Sequence, residues 1–198
     1  MRNKHSAFAT LGVHKNHTTK GRPEKDYYST PPEAVDWLLK YEKFNRNVWE
    51  PACGEGNISE TLKKNGFNVR SSDIWDYEYP DTEILDFTKT DEKFNGDIIT
   101  NPPYTNIIPF VKQAWKLSDR KFAMLFKIQF LETIERHKEI FSKIPPSKIY
   151  VFTKRIACLK DGSSKDSGSA VCYCWCVWDK ENIYEPVLRW IPNYEKLT

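Results

Sequence analysis

The sequence predicts an α/β domain. A mostly parallel sheet is covered by helices on both faces, and its last two strands turn back as an antiparallel hairpin at one edge. Three observations predict this. Short apolar, strand-like runs alternate with segments of helical period through most of the 198 residues. One run, "KFAMLFKIQF", is apolar at nearly every position, as a strand buried on both faces is. Only a Gly/Ser-rich stretch, "KDGSSKDSG", separates the last two strands, "SKIYVFT" and "SAVCYCWCVWD", leaving no helix for a parallel crossover.

The elements follow in order. Residues 1–25 show no period, and Arg2, Lys4, Lys15, Lys20, Arg22 and Lys25 face one acid, Glu24, so they read as a flexible basic arm. His5, His14 and His17 match no standard metal-site spacing and have no cysteine beside them, so they read as solvated. In "DYYSTPPEAVDWLLKYEKF", Thr30, Pro31 and Glu33 make a capping-box pattern with proline in the first turn. Ala34, Trp37, Leu38 and Tyr41 then recur at helical spacing, so a helix is expected from Pro31. "NVWEPACGEGNISETLKKNGF" reads as a strand, a glycine turn and a helix closed by Gly66. "NVRSSD", "TEILDF" and "GDIIT" read as strands that end at Asp73, near Asp86 and before Asn101. "TNIIPFVKQAWKLS" and "LETIERHKEIFSKI" read as the helices on either side of the "KFAMLFKIQF" strand. Cys172, Cys174 and Cys176 alternate along the last strand, so they share one face as small core residues rather than forming a C-x-x-C zinc turn.

Composition narrows the function classes. Hydrophobic residues at 39% and charged ones at 29% describe a soluble globular protein. No apolar run approaches the ~18 residues of a membrane span, and the N-terminus has no apolar core of a secretory signal. Five cysteines, an odd count, do not describe a disulfide framework, and a reducing cytoplasm is the expected location. A net charge of +3 permits nucleic-acid binding without demanding it. Aromatics at 14% can serve as core or as platforms for bases.

Ligands of an open α/β sheet bind beyond the carboxyl ends of its strands. "EPACGEG", Asp73, Asp86 and "NPPY" all fall at such ends. The glycines of "EPACGEG" let backbone approach a ligand, but the phosphate-cradling glycine patterns are absent, and Glu50 and Glu55 flank the turn instead. Asp73 lies 19 residues after Gly54, near the ~20-residue spacing at which an acid meets a ribose hydroxyl. The site therefore suits a nucleoside without phosphate and with a cationic tail, as in S-adenosylmethionine. "NPPY" then supplies an amine-binding end. The Asn101 side-chain carbonyl and the Pro102 backbone carbonyl are two acceptors for an exocyclic amino group, whose lone pair they would localise. Pro102 and Pro103 hold that backbone rigid, and Tyr104 offers a ring on which a flipped base can stack.

These motifs resemble those of class I S-adenosylmethionine-dependent amino-methyltransferases, and in particular the phage-type DNA adenine-N6 methyltransferases. The resemblance runs from about Asp26 to Asp179. "DYYSTPPEAVDWLL" resembles the family's N-terminal cofactor motif, which implies roles for Tyr28, Thr30 and Pro31. "EPACGEGNI" resembles its glycine motif, which implies roles for Glu50, Pro51, Ala52 and Gly54. Asp73 resembles the ribose acid, Asp86 with Phe87 the adenine-contacting pair, and Asn101 to Tyr104 the catalytic motif. The resemblance implies a Rossmann-like methyltransferase fold with a seven-stranded sheet, S-adenosylmethionine as cofactor, DNA as partner, and no metal or membrane. Lys127 and Phe130, with Phe126, follow the fifth strand near the expected base, with core packing the default reading of the two phenylalanines; Lys154 and Arg155, with Lys160 and Lys165, form a basic edge region that reads equally as a phosphate contact or as a solvated loop. The chain departs from the family in lacking a segment large enough for a target-recognition domain, so residues 26–198 are expected to form one domain with loose site selectivity. It also carries Cys53 where many such loops have another small residue.

Other readings stay open. "NPPY" also occurs in enzymes that methylate glutamine amides of release factors, although those resemble chains with a separate helical domain in front. RNA adenine is a further acceptor for the same chemistry. A binding module that kept the fold and lost catalysis would show damaged loops, and these loops are intact.

Overall fold

The computed structural model describes residues 27–160, 171–182 and 185–197. The expected basic arm at 1–25 and Lys165 lie outside the described residues. Ten strands and four α-helices are found among those described: β1 (Tyr28–Ser29), α1 (Pro32–Tyr41), β2 (Asn47–Glu50), α2 (Asn57–Lys64), β3 (Asn68–Asp73), β4 (Glu83–Ile84), β5 (Asp97–Thr100), α3 (Ile107–Leu117), β6 (Lys121–Lys127), α4 (Ile134–Arg136), β7 (Lys148–Phe152), β8 (Leu159–Lys160), β9 (Tyr173–Asp179) and β10 (Val187–Ile191).

Eight strands form one sheet in the order β10-β7-β9-β6-β5-β2-β3-β4. All pairings are parallel except the two made by β9, which runs antiparallel to both β6 and β7. The carboxyl ends of seven strands therefore share one end of the sheet. The antiparallel β7–β9 pair is as expected. The sheet is one strand larger than the sequence indicates, because β10 adds outside β7 and places β9 in the interior.

The apolar runs divide between the two faces by strand alternation. Ala123, Leu125, Tyr173, Trp175 and Val177 join α1 and α2 on one side. Phe122, Met124, Phe126, Cys174, Cys176 and Trp178 join α3 on the other. The expected cysteine face is thus present, with Cys174 and Cys176 in the core and Cys172 half-buried. The three fully buried tryptophans also satisfy their indole N–H groups: Trp49 donates to Ser72 Oγ, Trp175 to the Ala34 carbonyl and Trp178 to the Ile144 carbonyl, each at 2.8 Å.

Three expected elements differ. The "TEILDF" strand is only Glu83–Ile84, so Asp86 and Phe87 lie in the following turn. The "LETIERHKEIFSKI" helix is three α-helical residues that widen into a π-helical turn at His137–Phe141. The Thr30 capping box does not form: the N-cap of α1 is Pro31, with no side-chain cap bond, and Thr30 is buried with its hydroxyl turned elsewhere.

At the amino ends of the strands, buried charges pin β5, β6, β7 and β9 together. Glu42 accepts from Lys121 at 2.7 Å, Lys148 at 2.6 Å and the Tyr150 hydroxyl at 2.6 Å. Asp97 accepts from Arg120 at 2.9 Å, and Lys121 also lies 3.2 Å from Asp179. Burial opposes ionisation of Glu42, but the bonds from Lys121, Lys148 and Tyr150 prevail and hold its carboxyl below the usual range. At the outer edge, the Val187 N–H and the Ile191 carbonyl point to β7, so Leu188 and Trp190 direct their backbone groups outward, between Pro186 and Pro192.

Candidate active site at the carboxyl ends of the strands

A cavity of about 270 Å³ opens at the carboxyl end of the sheet. Its wall brings together Tyr28, Thr30, Glu50, Pro51, Ala52, Asp73, Asp86, Phe87, Asn101 and Pro103, residues from five separate stretches of sequence. The volume lies near the lower end of the ~300–1,000 Å³ typical of ligand pockets.

The glycine turn between β2 and α2 is built on positive φ angles at Gly54 (+52°) and Gly56 (+82°). A Cβ at Gly54 would fall 2.1 Å from a ring carbon of Tyr27, so the turn is also pressed against the segment before β1. Asp73, at the end of β3, braces this turn. One carboxylate oxygen accepts the Gly54 N–H at 2.9 Å and the other the Trp75 N–H at 3.0 Å. Gly54 is buried behind the turn and is not part of the cavity wall.

Glu50 is buried and takes a short hydrogen bond from the Ser59 hydroxyl. Burial, with the nearby Asp73 charge, pushes its carboxyl well above the usual range. Burial and the Glu50 charge push the Cys53 thiol up to about 12, so it stays protonated. Asp86 caps its own turn, accepting from the Thr88 N–H at 3.0 Å and hydroxyl at 2.6 Å and pairing with Lys89 at 2.8 Å, while still lining the cavity. Phe87 is buried beside it, edge-on to Trp49 with ring centres 5.2 Å apart.

β5 ends at Thr100, and Asn101 follows directly into the cavity wall. Its amide nitrogen donates to the Tyr28 carbonyl at 3.2 Å and to Thr30 Oγ1 at 3.0 Å. Its oxygen accepts from the Tyr104 hydroxyl at 3.2 Å. Pro102 is buried, and Tyr104 opens a single 3-10 turn before α3. Burial, with Tyr173 and Cys158 nearby, raises the Tyr104 phenol well above its ordinary value, so it stays a donor.

The remaining expected residues are placed differently. Tyr104 is not an open platform: the Lys127 ammonium lies 4.4 Å from its ring centre and the Tyr28 ring 5.3 Å away. Lys127 ends β6 and also faces the Tyr28 ring at 4.6 Å. Phe130 does not reach the site. The turn after β6 folds it back onto Phe126, stacked at 3.8 Å, where it is buried in the core. Pro31 caps α1 outside the cavity wall. Lys154 and Arg155 are exposed beyond the carboxyl end of β7, where Lys154 exchanges two 2.7 Å bonds with Asn193.

Sequence reasoning missed Ile74, Trp75 and Tyr77, which follow Asp73 and line the cavity mouth. Ile74 is 52% and Trp75 41% exposed, so their apolar surface faces the opening. The signal was present in "DIWDY", an apolar pair directly after a strand-end acid.

The sequence matches no protein-family model and no curated protein. Its fold is similar to those of many solved structures, among them the following three. A candidate modification subunit of a type I restriction enzyme from Vibrio vulnificus is 14% identical, with a TM-score of 0.57 over 83% of this chain and 47% of that one. A candidate RNA methyltransferase from Pyrococcus horikoshii is 17% identical, with a TM-score of 0.56 over 90% and 99%. A candidate O-methyltransferase from Agrobacterium tumefaciens is 13% identical, with a TM-score of 0.55 over 81% and 84%. The chain thus spans about half the length of the Vibrio protein. What is shared at this identity is the fold, a Rossmann-like methyltransferase fold.

Proposed function

We propose that this chain transfers a methyl group from S-adenosylmethionine to the N6 amino group of adenine in DNA. One observation carries the reading: Asn101, Asp73, Asp86 and the Pro51–Cys53 turn face a single cavity. An amine-binding amide and nucleoside-binding acids thereby share one space.

The residues fit the cofactor. Asp73, whose carboxylate has about four lone-pair sites, is the ribose partner. Ile74 and Phe87 offer apolar surface to an adenine, and the Pro51–Cys53 backbone lies where the amino-acid tail would run. When bound, S-adenosylmethionine supplies an electrophilic methyl group on a sulfonium sulfur. The chain's own part is alignment. Asn101 Oδ1 and the Pro102 carbonyl accept the two N–H bonds of the target amine and localise its lone pair. The prolines fix that geometry before the acceptor arrives.

An adenine in duplex DNA must leave the stack to reach Asn101. Exposed Lys154 and Arg155 lie at the same end of the sheet and are proposed to meet backbone phosphates. Residues 26–198 act as one domain in this reading, the basic residues 1–25 add phosphate contacts, and the setting is a cytoplasm. Fold similarity to a restriction-enzyme modification subunit supports DNA as partner. Fold similarity to a candidate RNA methyltransferase makes RNA the competing acceptor.

The test is transfer from labelled S-adenosylmethionine to unmethylated DNA, tRNA and a release factor in parallel. Label is expected in N6-methyladenine from DNA and is expected to vanish in Asn101→Ala. Label confined to RNA or protein would overturn the substrate, and cofactor binding without label on any acceptor would favour a binding module.

A further inference from the structure

A carboxamide is nearly symmetric in shape, yet only its oxygen can accept hydrogens from an amine. Which end of Asn101 is left for an acceptor amine is therefore a chemical decision that the surroundings must make. One neighbour makes it here, and two hydroxyls bond in the sense it dictates. The Tyr28 carbonyl cannot donate, so the Asn101 end beside it, at 3.2 Å, must be NH₂. Thr30 Oγ1 takes the second N–H at 3.0 Å. Thr30 is 3% exposed, and its hydroxyl is available because Pro31 rather than Thr30 caps α1. On the other side, the Tyr104 hydroxyl donates to Oδ1 at 3.2 Å and is itself hydrogen-bonded to Tyr173.

We infer that Thr30 and Tyr104 are positioning residues that hold the Asn101 carboxamide, as a latch, in the polarity set by the Tyr28 carbonyl, so that its oxygen, not its NH₂, meets the acceptor amine. The catalytic consequence rests on the methyltransferase reading above; the latch itself does not. Oδ1 has two lone pairs, so the bond from Tyr104 leaves one for the substrate. Tyr104 then works through its hydroxyl, and its ring face carries Lys127 rather than a base.

The experiment uses the full-length ¹⁵N-labelled protein, with the Asn101 side-chain amide signals identified by their loss in Asn101→Ala. Tyr104→Phe and Thr30→Val are each expected to shift that signal pair and to speed its solvent exchange about ten-fold, as for loss of one orienting hydrogen bond. Thr30→Ser is expected to restore the wild-type signals, and Phe130→Leu, in the core beyond the cavity, to leave them in place. In turnover, Tyr104→Phe is expected to lower kcat about ten-fold with cofactor KM held within about two-fold. Unmoved amide signals in both variants would overturn the inference. So would a fully active Tyr104→Phe beside an inactive Tyr104→Leu, which is the signature of a stacking platform. If wild type methylates none of the acceptors, the proposed function fails, while the amide spectra still decide the latch.

Discussion

Asp73 shows how one side chain can brace a turn and line a cavity at once. Its carboxylate closes on the Gly54 and Trp75 N–H groups and so shapes the glycine turn. Asp73→Asn keeps the volume but removes the charge and replaces an oxygen with a donor facing an N–H. Loss of charge-assisted bonds should weaken S-adenosylmethionine binding by about 1.5–3 kcal/mol, read by calorimetry. Unchanged affinity would remove Asp73 from the ribose role. At this scale the sequence was legible where chemistry forces a residue type, as with Asp73 and Asn101 at strand ends. It was misleading where spacing alone placed a side chain. Phe130 sits close in sequence to Lys127, but a 3-10 turn sends its ring back to Phe126. Nothing in "KIQF" announces that turn.

The two-residue strand β1 does more than its length implies. It pairs with β8 through Tyr28↔Lys160 and Ser29↔Leu159, joining the cavity wall to the chain beyond Lys154 and Arg155. Asn57, at the start of α2, ties it down by donating to the Tyr27 hydroxyl and to Ser29 Oγ, both at 3.0 Å. Asn57→Ala removes both bonds, about 1 kcal/mol each. Amide hydrogen exchange at Tyr28 and Ser29 is expected to rise by an order of magnitude or more, with β2 and β6 unaffected. Unaltered exchange at β1 would show that β8 alone holds it. Strands this short carry no period, which is why β1 and β8 were not legible in the sequence. β6 and β9 were, because six and seven residues buried on two faces leave a nearly unbroken apolar run. β10 was missed because four of its five residues are exposed, so no buried face marks its pattern.

The two ends of the sheet differ: cavity-lining residues gather at the carboxyl ends of the strands and a buried ionic cluster at the amino ends. That cluster gives a pH signature. Glu42 is held below its ordinary value, so its contribution is full above the usual glutamate pKa of about 4.3 and is lost as pH falls through the lower folded value. Asp97, raised by burial, acts in the opposite sense. Glu42→Gln should cost about 3 kcal/mol at neutral pH, the low end for a broken buried pair, because Asp179 still faces Lys121 at 3.2 Å. Urea unfolding from about pH 6 to about pH 3 should show a smaller loss of stability in Glu42→Gln than in wild type. Equal slopes would assign the acid sensitivity to other carboxylates.

The outer edge of the sheet has a consequence of another kind. Along β10, only Leu188 and Trp190 offer outward N–H groups, and the prolines on either side offer none. A strand from a second chain would find two donors and then a gap in each direction, too few to continue a ladder. The exposed Trp190 and Leu188 side chains would otherwise make this edge a seed for fibre growth. Two imino acids, one at each end of β10, confine any added strand to that short ladder.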